Sequence, residues 1–472
     1  MNKGLVKLAA NRIAIMTYQL SELSVPELAT GLQEGRFTSL ELVEHYLEEI
    51  TARNDKLHAF VEVYADEARL AAQAADLQRR SGQVLSCFHG IPIAIKDIAD
   101  IKGKTRTNGS LICSATQAQN HADVIQNLLN AGFIILGVTH LTEFCANSWG
   151  INESMGTPHN PSDMTVARLP GGSSSGSAVA LGGNLTPLAI GTDTGGSVRI
   201  PAAWCGVVGF KPTMGRISTQ GIFDLSQSCD TVGPMARSVR DVALLYDVMS
   251  KDNAGKQFDV SYLAQQQARG EFNPWRGARI CDVIPDVRDV FSADVLRAYD
   301  RTLASMANLG AEIFSMKLPI SIEEMANVHG IVLAAEGYSA TRDFIQGDTS
   351  LINETTRKIL GHGKGVLADD YLDAIRKRDR MAAELETFMA QYDAIILPTT
   401  MTTSPPVANV SFERVPSLYT RFVNFFDLCG LAFPNGEDEK SLPTSVQLIG
   451  RTGEDIRILD LGVSFEHLTR ET

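Results

Sequence analysis

Gly171-Gly-Ser-Ser-Ser-Gly-Ser-Ala-Val179 and, further on, Gly191-Thr-Asp-Thr-Gly-Gly-Ser-Val-Arg-Ile-Pro-Ala202 are the stretch on which the reading of this sequence turns. Residues 170–210 hold only two charged side chains, Asp193 and Arg199, where the chain-wide 21% would give roughly nine. Eleven glycines fall between Gly171 and Gly215, against about four for an even spread of the chain's 39. A flexible linker lacks interleaved apolar residues such as Val179, Leu181, Ile190, Ile200 and Trp204. The segment therefore reads as buried irregular backbone, which needs a partner for every N–H and C=O. Thr194-Gly-Gly-Ser197 could turn successive N–H groups toward one point, as an oxyanion hole requires. Asp193 and Arg199 read as a mutual brace, since neither charge is tolerable in a core unpaired. A glycine-rich packing turn with an idle serine is the other reading of the same composition.

Working outward, strand and helix alternate, which makes the chain α/β. Ile91-Pro-Ile-Ala-Ile95 reads as a strand ending at Lys96, and Phe133–Val138 as another. Ser24-Val-Pro-Glu27 and Thr38-Ser-Leu-Glu41 carry capping-box spacing, and Ala65–Arg80 is rich in helix formers. Helices are expected over Val239–Ser250, Asp294–Asn308, Glu323–Ile345 and Ala368–Gln391, with strands at Ala311–Lys317, Ala394–Pro398 and Thr444–Ile449. No linker divides the 472 residues. We expect an N-terminal extension over 1–20 and one domain over 21–472, with helical insertions at roughly 290–395.

Composition narrows the function. The net charge is −13 and no dense Lys/Arg block occurs, which argues against direct nucleic-acid binding. Seven scattered cysteines without a Cys-x-x-Cys pair support neither a disulfide scaffold nor a thiolate zinc site. No apolar run reaches membrane-spanning length, so a cytoplasmic protein is expected, with Met16 as an alternative start after a leader. Gly361-His-Gly-Lys-Gly365 lacks phosphate-loop spacing and reads as a flexible turn.

Two serines compete as nucleophile. Gly172-Ser-Ser-Ser-Gly176 fits a nucleophile elbow centred on Ser174, but no apolar strand precedes it. None of the later histidines, His329, His362 and His467, has a distinctive setting in the sequence. Ser197 needs a base other than histidine, and a neutral lysine serves if burial lowers its pKa. Lys96, at the end of an apolar strand, is the best candidate; a surface lysine is the bland alternative.

These motifs, with Gly90-Ile-Pro-Ile-Ala-Ile-Lys-Asp97, Glu143-Phe144, Asn160-Pro161, Gly206–Thr213 and Leu397-Pro398, resemble the amidase signature family from about residue 20 to the C-terminus. The resemblance implies that family's α/β fold, a mixed central sheet covered by helices on both faces. It also implies a Ser–cis-Ser–Lys triad: Ser197 as nucleophile, Ser173 as the bridging serine after a cis Gly172–Ser173 peptide, and Lys96 as base. Thr194, Gly195, Gly196 and Ser197 would supply oxyanion-hole N–H groups, and Ser174 would help position Lys96. The implied reaction is hydrolysis of a small amide or carbamate through an acyl-enzyme, with no cofactor and no metal. The expected partners are a small-molecule amide, with no direct nucleic acid and no membrane, and a homodimer left open. Phe144, Asn147 and Trp149, with the 217–230 stretch, Asn424 and Phe425, are expected around the acyl pocket.

Departures from the family pattern bear on substrate: Gly430–Gly436 is short, and Ser441 and Ser445 stand where glycine is usual. The alternative function is the glutaminase subunit of a tRNA-dependent amidotransferase. That role would need a ligand for glutamine's carboxylate, with Arg357 as a candidate, and a partner subunit. A binding protein with a decayed site is disfavoured, because all three triad positions are filled.

Overall fold

The structure, a computed structural model, describes residues 20–470 apart from 114–116, 252–264, 266–267, 269–271, 348–349 and 411–414. All of the expected extension except Leu20 lies outside the described residues. Local signals act where the sequence carries them. Glu27 Oε2 accepts from Ser24 N, and Glu41 Oε2 from Thr38 N, each at 2.7 Å, at the starts of helices Val25–Gln33 and Ser39–Leu57. Each carboxylate thereby satisfies a donor at the helix entry.

Among the described residues eleven strands form one sheet: β1 (Phe60–Val63), β2 (Pro92–Lys96), β3 (Ile134–Thr139), β4 (Leu188–Asp193), β5 (Val208–Lys211), β6 (Thr231–Ala236), β7 (Arg279–Asp282), β8 (Glu312–Ser315), β9 (Ala394–Pro398), β10 (Cys429–Glu437) and β11 (Pro443–Gly450). Their order is β1-β3-β2-β4-β6-β5-β10-β11-β9-β7-β8. β3, β2 and β4 run parallel, as do β9, β7 and β8, while the strands between them pair antiparallel, so the sheet is mixed.

Every residue of β2, β4, β5, β6 and β9 is buried. Successive side chains point to opposite faces, so both faces of the central sheet are covered. The edge strands β1 and β8 keep partly exposed residues instead. The 290–395 segment supplies helices Ala293–Asn308, Ile322–Gln346 and Ala368–Met389, and it also contributes β8 to the sheet.

The expected flexible turn at Gly361–Gly365 is a packed 3₁₀ turn over His362–Gly365, with Gly363 buried against the Ile322–Gln346 helix. Small residues there permit close packing, which composition alone does not distinguish from mobility. No helix among the described residues is long and apolar enough to cross a membrane.

Candidate active site

The site is assembled where two parallel strands end. Ala94 and Ile95 of β2 lie beside Ala189 and Ile190 of β4, which brings Lys96 and Thr192 to the same end of the sheet. In open α/β sheets, the crevice beyond the strand C-termini is where ligands bind. Lys96 is fully buried, with Nζ 2.8 Å from Ser173 Oγ and 2.7 Å from Thr192 Oγ1. No carboxylate among the described residues forms an ion pair with it. Burial pushes its pKa down, and the Cys145 thiol and the more distant Asp230 and Asp193 only partly oppose this. An amine so placed resists carrying a charge.

Ser173 follows a cis Gly172–Ser173 peptide and is fully buried. The next residue ties this loop to the other: Ser174 N donates to the Ser197 carbonyl at 3.1 Å. Ser174, expected to help position Lys96, has no direct hydrogen bond to it among the described residues. Its hydroxyl instead donates to the Thr192 carbonyl and accepts from Thr192 N–H, both at 3.2 Å. Thr192 lies within the Gly191–Ala202 motif, but the sequence assigns it no role; its contact with the lysine beside that of Ser173 is revealed only by the pairing of β2 with β4. Gly191 makes the arrangement possible, because a Cβ there would lie 2.6 Å from Ser174 Oγ.

Asp193 and Arg199 form an ion pair with no exposed side-chain surface, Arg199 Nε lying 3.1 Å from Asp193 Oδ2. Arg199 also donates to Gln447 Oε1, to the Thr420 carbonyl and to Asn424 Oδ1. Burial alone would raise the Asp193 pKa, but Arg199 first, then Lys211 and Asn424, hold the carboxyl well below the usual carboxylate range. Removing one member leaves the other charge buried and unmatched. Asp193→Ala is therefore expected to cost about 3–5 kcal/mol of stability, read as a lowered thermal midpoint. A midpoint equal to wild type would remove the bracing role.

The same carboxylate shapes the loop above it. Asp193 Oδ1 accepts from Gly196 N–H at 2.6 Å, and Oδ2 from Val198 N–H at 3.1 Å. Gly196 is thus committed to the brace and does not stand with the free donors expected of it. Among the described residues, the N–H groups of Thr194, Gly195 and Ser197 have no protein acceptor. Gly196 adopts φ +121°, and a Cβ there would lie 2.1 Å from Thr420 Oγ1, so only glycine completes the turn. Thr194 Oγ1 donates to Asp230, whose carboxyl burial pushes up to about 7.

Ser197 borders a cavity of about 300 Å³ that Cys145, Asn147, Ser148, Trp149, Thr194 and Gly195 also line, with Leu225, His329 and Arg421 on other sides. Of the expected pocket, Phe144, Asn424 and Phe425 do not border it, and the 217–230 stretch reaches it only through Leu225. Phe144 packs with Phe223 and Phe344, ring centroids 5.7 and 5.3 Å apart. Asn424 is part of the brace, its Nδ2 donating to the Asp193 carbonyl at 2.8 Å. Phe425 lies behind His329 at 5.2 Å. Aromatic and amide residues near a site are packed into its walls as often as they face it, and sequence does not separate the two. Arg357 is exposed, outside the cavity lining. Among the described residues no cluster of His, Cys, Asp or Glu could hold a metal ion.

Comparison with known proteins agrees with this architecture. A glutamyl-tRNA(Gln) amidotransferase subunit from Thioalkalivibrio sulfidiphilus is 32% identical over 95% of this chain and 98% of its own. An s-triazine catabolic enzyme described from a vestigial protein complex superposes with a TM-score of 0.85 at 27% identity, covering 94% of this chain and 98% of its own. The Thermotoga maritima glutamyl-tRNA(Gln) amidotransferase subunit superposes with a TM-score of 0.77 at 27% identity, covering 95% of each chain. Relatives named as subunits overturn the expectation that the partners stop at a small amide and a second copy of the chain. The Amidase family matches residues 41–459, and with the relatives this places the chain in the amidase signature family, whose members act on carbon–nitrogen bonds.

Proposed function

We propose that this chain hydrolyses a primary carboxamide through an acyl-enzyme on Ser197, as the ammonia-releasing subunit of a glutamine-dependent amidotransferase. The observation that carries the chemistry is the buried Lys96 amine 2.8 Å from Ser173 Oγ, with its pKa lowered. In the neutral state Nζ accepts the Ser173 hydroxyl proton while Ser173 Oγ takes the proton of Ser197. Ser197 Oγ attacks the amide carbon, and the oxyanion rests on the N–H groups of Thr194, Gly195 and Ser197. Each such donor is typically worth about 3 kcal/mol. The C–N bond then breaks, and the relay returns its proton to the nitrogen, which leaves as ammonia. Water attacks the ester by the same route and releases the acid. Thr192 holds the amine on line, and the Asp193–Arg199 pair holds the donor loop.

The subunit role comes from the relatives, named as subunits of an amidotransferase. A second reading, an amidase whose product is the acid itself, is favoured by closer superposition on the s-triazine enzyme than on the Thermotoga protein. That enzyme too is described from a protein complex, so both readings include a protein partner. Ammonia release from glutamine, pentanamide and an aryl amide by the purified chain separates them. The subunit reading expects glutamine to have the highest kcat/KM. Faster turnover of the simple amides would overturn it in favour of the second.

A further inference from the structure

Two groups in the Ser197 cavity lack the partners their chemistry calls for. Arg421 begins the short Arg421–Phe425 helix, and its Nε donates to Ser417 Oγ at 2.9 Å. Among the described residues no carboxylate pairs with its guanidinium, and it is the one charged side chain lining the cavity. Burial pulls its pKa down. Arg421 is partly buried, and a guanidinium drawn partly out of water without a counter-charge is favourably completed by a bound anion.

His329 is the second group. It is fully buried in the first third of the Ile322–Gln346 helix, and among the described residues neither ring nitrogen has a hydrogen-bond partner. Burial, and then Arg421, push its pKa down to about 3. The ring is neutral at physiological pH and offers one N–H donor and one acceptor. A Cβ on Gly195 would lie 3.4 Å from Arg421 Cγ and 3.7 Å from His329 Cε1. Both side chains therefore stand over the donor loop, close to where the reacting carbonyl is held.

We propose that Arg421 and His329 form a carboxylate-binding subsite, so that preferred substrates are primary amides with a carboxylate at the far end of the acyl chain. The inference rests on the Ser197 reading: when the leaving group is ammonia, any further recognised group belongs to the acyl side. The planar fork of Arg421 suits the two oxygens of a carboxylate, and a His329 N–H can donate to one of them. Glutamine belongs to this class, and so does the monoamide of a dicarboxylic acid. Among the described residues no acidic side chain lines the cavity to meet an α-ammonium, so the carboxylate is the group recognised.

The test compares glutaramate with its uncharged isostere 5-methylhexanamide. Wild-type protein is expected to favour glutaramate at least tenfold in kcat/KM. The ratio should fall toward one in Arg421→Met and be partly kept in Arg421→Lys, which retains charge without the fork. Calorimetric titration of Ser197→Ala with glutaramate measures binding without turnover, and adding Arg421→Met should weaken Kd at least tenfold. Equal or greater preference for the uncharged amide in wild type would overturn the subsite, a result that needs no variant to fold. So would an unchanged ratio in both Arg421 variants. Full turnover of both amides by Ser197→Ala would instead remove the catalytic reading, while the ratio in the Arg421 variants still decides the subsite.

Discussion

Ser197→Ala is expected to lower kcat for amide hydrolysis by at least on the order of 10⁴-fold, with the thermal midpoint close to wild type. In the proposed reaction the hydroxyl is the atom that bonds to the substrate carbon, with Ser173 and Lys96 as its proton relay. Ser197 lies 8% exposed at the cavity wall, so removing one oxygen opens no core void. Ser174→Ala supplies the contrast. Its hydroxyl bonds only the main chain of Thr192, and its loss should leave partial activity by loosening the strand that holds the lysine. Steady-state kinetics on a primary amide rank the two. The reverse order would restore the nucleophile elbow centred on Ser174.

Lys96→Met should lose on the order of 10³-fold in kcat/KM, the scale of a general base, while remaining folded because methionine suits a fully buried position. The pH profile gives the sharper readout. Only the neutral amine accepts a proton, so activity falls as pH drops through the Lys96 pKa. Burial moves that pKa below the value of a solvated lysine, which carries the active plateau to lower pH than such a lysine allows. In Lys96→Met the residual rate should no longer show this acid limb. Lys96→Arg should be as inactive as the methionine variant, since a guanidinium stays protonated. A mild loss with the acid limb intact would return Lys96 to a structural role.

Much of the fold is legible in the sequence. The capping boxes at Ser24 and Thr38, the apolar run into Lys96 and the helices that precede β9 depend on spacing and composition within a few residues. The charge-poor, glycine-rich stretch around Asp193 is legible for a related reason: burial of irregular backbone excludes charge and demands residues without side chains. Even so, the elements at 311–317 and 361–365 differ from expectation in extent or mobility, since strand ends and packed turns are set by neighbours.

Sequence by itself determined the α/β class, the buried segment and the residue types able to do acyl-transfer chemistry, because these follow from local periodicity and the cost of burying charge. Only the tertiary structure decided which of them meet. Thr192 reaches Lys96 because β2 and β4 pair in one register, and Gly196 N–H turns to Asp193 because Arg199 holds that carboxylate in place. His329 and Arg421 are 92 positions apart in the chain, and no short-range pattern marks either. They share a cavity because the Ile322–Gln346 helix packs against the Arg421–Phe425 helix, a long-range contact whose energy is spread over many side chains and written in no single motif.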